Sequence, residues 1–375
     1  MNDKIERFFA ERRPATPCLV LDLGVVEDNF KALSTALPDA RIYYAVKANP
    51  APFILKLLVR LGSSFDCASV QEIDMVLAAG GSAFDISYGN TIKKQTDIAR
   101  AFARGVRLYA FDSIAELDKI ALAAPGSRVF CRILTSGDGA EWPLSVKFGC
   151  SPAMAKDLLL LAADKGVVPF GVSFHVGSQQ RDPGQWDKAL ATTARLFREL
   201  EAEGVELKMV NLGGGFPTRY RRDVLSAEAY GRAILNALRT HFGNRIPETI
   251  VEPGRSMVGN AGVIESEVVL ISKKGGDDDR RWVYLDIGKF SGLAETTDEL
   301  IQYDIKSDRT GQSERVIIAG PSCDSVDVLY EKSDYRLPLD LCIGDHLRIN
   351  GTGAYTTTYA SIGFNGFPPL DEHYI

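Results

Sequence analysis

The sequence lacks several features that define whole classes of protein. No apolar run approaches the roughly 18 residues that a membrane-spanning helix needs. The first residues, MNDKIERFFAERRP, contain neither the apolar core nor the small-residue cleavage site of a signal peptide. The 375 residues carry a net charge of −6, which argues against a nucleic-acid partner. We therefore expect a cytoplasmic protein that binds neither membranes nor nucleic acids.

The six cysteines are scattered rather than grouped. They are Cys18, Cys67, Cys131, Cys150, Cys323 and Cys342. No two have the Cys-x-x-Cys spacing, and none lies with the four histidines at the spacing of metal ligands. We expect no metal site. We also expect the cysteines other than Cys323 to be small buried hydrophobic residues.

The sequence does contain a repeated alternation of strand-like and helix-like segments, over a length too great for one ordinary core of roughly 100–200 residues. The strand-like runs are 41–49, 63–69, 83–90, 107–112, 128–134, 169–178, 208–215 and 249–255. The segments between them have apolar residues at helical spacing and often end in glycine. Eight such units predict a TIM-like (β/α)₈ barrel. A doubly wound open sheet shows the same alternation and is the competing interpretation.

The pattern changes after residue 255. Short β-branched segments are separated there by Gly, Pro and Asp turns, which indicates an antiparallel β domain. We predict three parts: a segment 1–24 whose strand joins the β domain, a barrel over 25–255, and the β domain over 256–375. The turn-rich insert 134–149 is the expected place for a mobile lid, and 272–281 reads as a hairpin tip.

Polar or reactive residues end the predicted barrel strands. They are Lys47, Asp66, Asn90, Asp112, Arg132, His175, Ser178, the glycines 213–215, Glu252 and Arg255. In a barrel the carboxyl ends of all eight strands meet on one face, and that face holds the active site. The sequence therefore predicts that these side chains share one site.

The run YYAVKANP, residues 43–50, delivers a single lysine to such a strand end. Lys47 is either a solvated lysine at the start of a loop or a lysine that forms a Schiff base with a carbonyl cofactor. Glycines in NLGGGFP (211–217) and EPGR (252–255) follow the seventh and eighth strands, where barrels frequently bind phosphate. A lysine together with a phosphate site indicates pyridoxal 5′-phosphate.

Two further residues have both a functional and a structural interpretation. Glu252 can supply the carboxylate that keeps the cofactor ring nitrogen protonated, or it can form a structural ion pair with Arg255. His175 can stack on the cofactor, or it can be a packed and hydrogen-bonded histidine. Ser178 can donate a hydrogen bond to the phosphate.

Seven motifs in order carry a resemblance to a known family: YYAVKANP, FDCAS, FHVGSQ, NLGGGFP, EPGR, GPSCDSVDVL and GAYTTTYASIGFNGF. They resemble the pyridoxal-phosphate decarboxylases of the alanine-racemase fold, fold type III, and within them the ornithine decarboxylases with their bacterial lysine/ornithine forms. The resemblance extends from about residue 15 to residue 370. It implies the barrel and β domain expected above.

The resemblance implies roles for individual residues. Lys47 would bind the cofactor aldehyde, Glu252 would face the ring nitrogen, His175 would stack on the ring and Cys323 would protonate the substrate carbon, so these four would be catalytic. The cofactor site would comprise Lys47, Asp66 with Glu72 beyond it, Arg132, His175, Ser178, Gly214, Gly215, Glu252, Gly254, Arg255 and Tyr355. The substrate site would comprise Tyr303, Asp304, Asp324 and Phe364, although one extra residue between Tyr355 and Phe364 sets this chain apart from eukaryotic members.

The implied function is decarboxylation of L-ornithine to putrescine in polyamine biosynthesis, with L-lysine to cadaverine as a second reaction, in a homodimer whose active sites are shared. A racemase of this fold would have arginine facing the ring nitrogen, where this chain has Glu252. Diaminopimelate decarboxylases carry glutamate where Asp324 follows Cys323. Arginine decarboxylases generally have longer chains. A non-catalytic relative would be expected to lose the lysine, the cysteine or the glycines.

Overall fold

The computed structural model describes residues 3–142, 147–276 and 279–375. Its helices are α1 (Asp3–Arg12), α2 (Leu23–Ala36), α3 (Pro52–Arg60), α4 (Val70–Ala78), α5 (Gln95–Ala103), α6 (Ile114–Ala123), α7 (Pro152–Asp164), α8 (Gly184–Ala202), α9 (Ala227–Phe242) and α10 (Arg255–Val258). Among these helices none is both long and apolar enough to cross a bilayer.

The strands run from β1 to β18 in chain order. They are β1 (Cys18–Leu21), β2 (Ala40–Ala45), β3 (Ser64–Cys67), β4 (Ile86–Tyr88), β5 (Leu108–Phe111), β6 (Arg128–Arg132), β7 (Ala140–Trp142), β8 (Val168–Ser173), β9 (Ser178–Gln180), β10 (Met209–Asn211), β11 (Glu248–Val251), β12 (Gly262–Ser272), β13 (Arg281–Leu285), β14 (Asp304–Ser307), β15 (Ser313–Ala319), β16 (Val328–Pro338), β17 (His346–Asn350) and β18 (Asp371–Tyr374).

The chain divides into two compact units. The barrel unit comprises Glu27–Pro217 and Val224–Gly254, and the sheet unit comprises Met1–Val26, Thr218–Asp223 and Arg255–Ile375. The sheet unit is therefore assembled from three separate stretches of sequence.

The barrel unit contains a closed barrel of eight parallel strands in the order β10-β11-β2-β3-β4-β5-β6-β8. One cluster of its buried apolar side chains comprises Tyr43, Leu108, Ala110, Phe130, Met209 and Ile250, each from a barrel strand. Side chains alternate across a strand, so one set can point inward from every strand. Closure confirms the barrel and excludes the open sheet.

Serine residues fix where several barrel-unit helices begin. The hydroxyls of Ser69, Ser113, Ser151 and Ser226 each accept the N–H three residues later, at the starts of α4, α6, α7 and α9. Such a cap contributes about 1 kcal/mol to helix stability. Because each helix has a fixed start, the turn between it and the preceding strand has a defined end, and the turn before α9 carries the glycines of the candidate site.

The sheet unit contains a mostly antiparallel sheet in the order β14-β17-β12-β13-β15-β16, with β1 between β12 and β18. The pairs β1–β18 and β13–β15 are parallel. Strand β1 has the sequence CLVL and is buried along its length. Its apolar side chains pack with α1 through Ile5 and Phe9. The separate, mostly antiparallel sheet after the barrel is confirmed.

Three local expectations have different outcomes. Cys18, Cys67, Cys131 and Cys150 are buried, but Cys342 is exposed, so the expectation of burial is wrong there. Cys342 precedes β17 in a turn that Asp345 holds by accepting the Cys342 N–H at 2.8 Å.

The expected lid and hairpin tip each include residues outside the described ones, 143–146 and 277–278. The described part of the insert forms β7, which pairs with β9.

Candidate active site

Lys47 lies just beyond β2, in a single 3₁₀ turn over Val46–Ala48. The last four side chains of β2 are buried, whereas the Lys47 side chain is about half exposed, at 52 %. Its Nζ is 3.6 Å from Oδ2 of Asp66, because β2 and β3 pair in parallel with Ala45 opposite Asp66. The two strands thus end side by side and present an amine next to a carboxylate.

Asp66 is a buried carboxyl, 4 % exposed. Burial raises its pKa, and the Lys47 ammonium, the Arg132 guanidinium and the Ser87 hydroxyl oppose that rise. Glu72 has a structural explanation instead: its carboxylate accepts the Ala68 N–H at 2.6 Å at the start of α4. Burial also raises the pKa of Glu72.

The glycine turn after β10 is packed against backbone on several sides. A Cβ placed on Gly213 would lie 2.3 Å from the Phe174 carbonyl oxygen, one on Gly214 2.6 Å from that of Glu252, and one on Gly215 2.6 Å from that of Gly177. Gly213 and Gly215 have φ of +64° and +98°. Only glycine meets both conditions, so no side chain of the turn covers the N–H groups of Gly214 and Gly215.

Glu252 follows β11, and a neighbour connects it to the glycine turn. The Asn211 amide donates to Glu252 Oε1 at 2.5 Å, and its oxygen accepts the Gly213 N–H at 2.9 Å. Burial, and then the nearby Asp66, raise the pKa of Glu252 to about 7, while Lys47, Asn211 and Arg132 oppose the rise. Its carboxylate is therefore poised to bind a positive group or a shared proton. Gly254, two residues on, is buried.

His175 and Arg132 complete the barrel part of the site. Burial, then Arg132 and Lys47, lower the pKa of His175 to about 3, so its ring is neutral near pH 7. Burial lowers the pKa of Arg132, and Glu252, Asp66 and Asp112 oppose that change. Its guanidinium lies 5.2 Å from the Phe148 ring centroid, a cation–π distance. Ser178 opens β9 instead of ending β8, because β8 stops at Ser173.

The barrel unit therefore brings Lys47, Asp66, Arg132, His175 and Glu252 within electrostatic reach of one another, beside the glycine turn. Ser178 and Gly254 also belong to the barrel unit, whereas the predicted site residues from Arg255 onward belong to the sheet unit.

In the sheet unit, Arg255 is buried and held by a carboxylate that the sequence did not suggest. Its Nη1 and Nη2 donate to Glu295 at 2.6 and 2.5 Å, and Nη1 also donates to the Tyr220 hydroxyl at 2.6 Å. The guanidinium lies 4.8 Å from the Tyr355 ring centroid. Among the groups described, nothing accepts a hydrogen bond from its Nε. Tyr355 has φ of +56°.

Cys323 and Asp324 are exposed on a turn between β15 and β16. The buried Asp327 holds this turn: its two carboxylate oxygens accept the Lys289 N–H at 2.7 Å and the Ser322 N–H at 3.1 Å. The Cys323 N–H donates to the Asn365 side chain at 2.8 Å. The turn is thus fixed although its reactive side chains face outward.

The predicted substrate residues of the sheet unit have different surroundings. Phe364 packs on Phe290 with ring centroids 4.5 Å apart. Asp304 begins β14 and pairs with Lys306 at 3.2 Å. Tyr303 is completely buried, with its ring edge-on to Tyr220 at 5.4 Å, which favours a packing role over direct contact with substrate.

Sequence reasoning missed four residues that organise the site: Phe148, Asn211, Glu295 and Asp327. Asn211 and Asp327 lie inside motifs that were already singled out, so the short polar side chain beside each turn was a usable signal. Glu295 is 40 residues from Arg255 and Phe148 belongs to a turn-rich insert, and nothing local connects either to its partner.

The barrel residues fit pyridoxal phosphate. The half-exposed amine of Lys47 lies beside the buried carboxylate of Asp66. Glu252, a second carboxylate with a raised pKa, is within electrostatic reach of both. The glycine turn offers backbone donors suited to a phosphate. These groups match the aldehyde, ring nitrogen and phosphate of the cofactor respectively.

Comparison with known proteins gives the same answer. Residues 23–259 match the family model described as pyridoxal-dependent decarboxylase, pyridoxal binding domain. The chain is 35 % identical to the lysine/ornithine decarboxylase of Selenomonas ruminantium, over 98 % of this chain and 91 % of that protein. The solved structure of SrLDC in complex with PLP and cadaverine has a TM-score of 0.90 at 33 % identity, covering 100 % of this chain and 94 % of that one. The Paramecium bursaria Chlorella virus arginine decarboxylase has a TM-score of 0.91 at 27 % identity, with both chains covered completely.

Proposed function

The chain belongs to the pyridoxal-dependent decarboxylases that act on basic amino acids, and we propose that its own substrate is L-ornithine, which it converts to putrescine and carbon dioxide. L-lysine, which would give cadaverine, is the proposed second substrate, and the proposed role is polyamine biosynthesis. The observation that carries the cofactor assignment is the grouping of Lys47, Asp66 and Glu252 beside the glycine turn.

Bound pyridoxal phosphate supplies the electron sink for loss of the substrate carboxylate. In our proposal Lys47 binds the cofactor aldehyde and Asp66 keeps the amine oriented. The backbone N–H groups of Gly214 and Gly215 bind the phosphate together with Ser178, Gly254, Arg255 and Tyr355.

Glu252 holds a proton at the cofactor ring nitrogen in this proposal. Its raised pKa supports the role, because a buried carboxylate gains most from a positive neighbour. His175, neutral near pH 7, provides an uncharged aromatic face for the ring. Arg132, stacked on Phe148, orients the cofactor region.

Cys323 returns a proton from Sγ to the substrate Cα in our proposal, and Asp324 and Asp304 accept hydrogen bonds from the distal ammonium. Each charge-assisted contact of this kind contributes roughly 1.5–3 kcal/mol. Two carboxylates favour a substrate with a distal cation. Phe364 provides an apolar wall for the methylene chain.

We propose that two copies of the chain share their active sites. Cys323 and Asp324 are exposed on a turn that Asp327 holds rigid, so they are available to a second copy. Nearby side chains are also unusually exposed for their apolar character: Val326 is 57 % and Ile362 75 % exposed. Exposed apolar groups around a reactive turn support an interface there.

The direct test measures carbon dioxide and diamine release by the loaded protein from L-ornithine and L-lysine side by side. We expect turnover of both with ornithine preferred, because one methylene changes binding by only about 1–3 kcal/mol. L-arginine and meso-diaminopimelate complete the panel. Preference for either would refute the ornithine proposal while keeping the reaction class.

A matched pair of lysine variants tests the cofactor assignment. Lys47→Ala should abolish the visible absorbance of the loaded protein and slow turnover by orders of magnitude, on the order of the 10²–10⁴-fold typical of a lost catalytic group. Lys94→Ala removes an exposed lysine of the same unit and should change neither. Normal colour and rate in Lys47→Ala would remove Lys47 from the site.

A further inference from the structure

A second lysine near the barrel strand ends is buried, unlike Lys47. The Lys93 side chain is 0 % exposed. Its Nζ donates to the carbonyl oxygens of Asn90 and Ala110, both at 2.6 Å, and lies 2.9 Å from Glu116 Oε1. Lysine is almost never fully buried unless it is paired, so these contacts call for an explanation.

The three contacts join three different elements. Asn90 lies in the turn after β4, Ala110 lies on β5, and Glu116 lies in the first turn of α6. The other oxygen of Glu116 pairs with Lys119 at 2.5 Å. One ammonium therefore fixes the turn after β4 to the neighbouring strand and to the helix that follows it.

Such an ion pair is costly to bury and is weak evidence for a stabilising role. Burial lowers the pKa of Lys93 to about 8 and the Lys119 charge adds to that change, while the charge and hydrogen bond of Glu116 and the Asp112 charge oppose it. Buried ion pairs can often be replaced by apolar residues with no loss of stability. The role of this ion pair must then be sought in the segment whose position it fixes.

That segment is the turn after β4, which packs against Asp66. In the turn after β4, the Gly89 N–H donates to the Cys67 carbonyl oxygen at 3.0 Å, one residue after Asp66. A Cβ on Gly89 would lie 1.9 Å from Asp66 Oδ1, so Gly89 is packed directly against that carboxylate. The other carboxylate oxygen faces Lys47 at 3.6 Å.

We infer that Lys93 is a positioning residue of the active site: by binding Asn90, Ala110 and Glu116 it holds Gly89 against Asp66 and thereby sets where the Asp66 carboxylate meets Lys47. The inference rests on the proposed role of Lys47 and Asp66 in binding pyridoxal phosphate. Lys93 itself touches neither the cofactor nor the substrate in this account.

The experiment compares Lys93→Met, the double variant Lys93→Met/Glu116→Gln, and the control Lys165→Met with the full-length wild type. Lys165 follows α7 and pairs with Asp118 of α6 at 2.6 Å, so the control removes a lysine that contacts α6 without touching the turn. Three quantities are measured: the free energy of unfolding in urea, hydrogen–deuterium exchange of peptides covering 86–94, and the dissociation constant for pyridoxal phosphate by equilibrium dialysis.

We expect Lys93→Met to be destabilised, because a buried carboxylate loses a partner, and the double variant to recover much of that stability. In both variants exchange across 86–94 should be faster, and cofactor binding should be weaker by on the order of tenfold to a hundredfold, as for an angstrom-scale misplacement. The pH midpoint of the visible absorbance change of the loaded protein should move as well. Lys165→Met should match wild type in exchange, affinity and midpoint.

A double variant that recovers stability together with wild-type exchange and wild-type cofactor affinity would overturn the inference and leave Lys93 a packing residue. Failure of the proposed function has a different signature. Wild type that binds no pyridoxal phosphate would refute the cofactor site, and wild type that binds it without decarboxylating would refute only the substrate. The first result would overturn the inference as well, because the inference rests on the cofactor site. With the second result, faster exchange across 86–94 and weaker cofactor binding in the variants would still support it, and wild-type exchange and affinity would overturn it.

Discussion

Replacing Glu252 with glutamine tests how strongly the barrel desolvates this carboxylate. Burial, assisted by Asp66, raises the pKa of Glu252 from 4.5 to about 7. A carboxyl whose pKa is higher in the folded protein binds more protons when folded. Its contribution to stability is therefore complete below pH 4.5 and is lost as the pH rises through about 7.

The magnitude follows from the two pKa values. Integrating the difference in bound protons between pH 5 and pH 8, at 1.36 kcal/mol per pKa unit, gives roughly 2–3 kcal/mol for Glu252. Glutamine has no proton to exchange. The free energy of unfolding of wild type minus that of Glu252→Gln should thus fall by roughly 2–3 kcal/mol over this range.

The assay is urea unfolding of cofactor-free protein at several pH values between 5 and 8, for wild type, Glu252→Gln and the control Glu248→Gln. Glu248 begins the same strand β11 and forms a partly exposed ion pair with Arg41 at 3.6 Å. Glu248→Gln controls for the removal of one carboxylate from this strand. Parallel curves for wild type and Glu252→Gln across the whole range would show that the carboxylate is solvated and would refute the argument from burial.

Three further substitutions test other parts of the site. Gly214→Ala brings a methyl group to 2.6 Å from the Glu252 carbonyl oxygen, so it should cost about 1–3 kcal/mol and weaken pyridoxal phosphate binding in dialysis; unchanged affinity would exclude this turn from the phosphate site. Glu295→Gln leaves the buried Arg255 without its carboxylate and should lower the free energy of unfolding by about 3–5 kcal/mol in urea; a loss under about 1 kcal/mol would contradict the strength of that pair. Asp327→Ala leaves two backbone N–H groups without their acceptor, at roughly 1–3 kcal/mol each, and should reduce turnover more than cofactor affinity; equal losses would mean that the Cys323 turn is not specifically affected.

The barrel was predictable because its strands are short apolar runs separated by amphipathic helices with clear serine starts. The strand ends were less predictable. Lys47 lies in a 3₁₀ turn beyond β2, and the run 169–178 breaks after Ser173. There the chain turns from β8 toward β9, and the Phe174 N–H donates to the Asn211 carbonyl oxygen at 3.1 Å. Local sequence encodes the apolar run, but not the last residue at which neighbouring strands pair.

The site was predictable in its reactive residues and not in its supporting ones. A lysine, a histidine or a glycine triplet at a strand end stands out by residue type. Glu295 and Glu116 look like ordinary helical or loop glutamates, and only the fold places them against a buried cation. Burial also decides charge: His175 and Glu252 have ordinary side chains whose pKa values shift because of groups distant in sequence.

The position of β1 has a consequence for the order in which the chain can fold during synthesis. All eight barrel strands lie between Ala40 and Val251, so the barrel can form once that stretch has emerged. Strand β1 is made earlier, yet its partners β12 and β18 are made only afterwards. The apolar CLVL segment therefore lacks its pairing strands on the nascent chain until β12 and β18 have been made. An unpaired apolar strand is a hazard for aggregation, and β1 is subject to that hazard until β12 and β18 have been made.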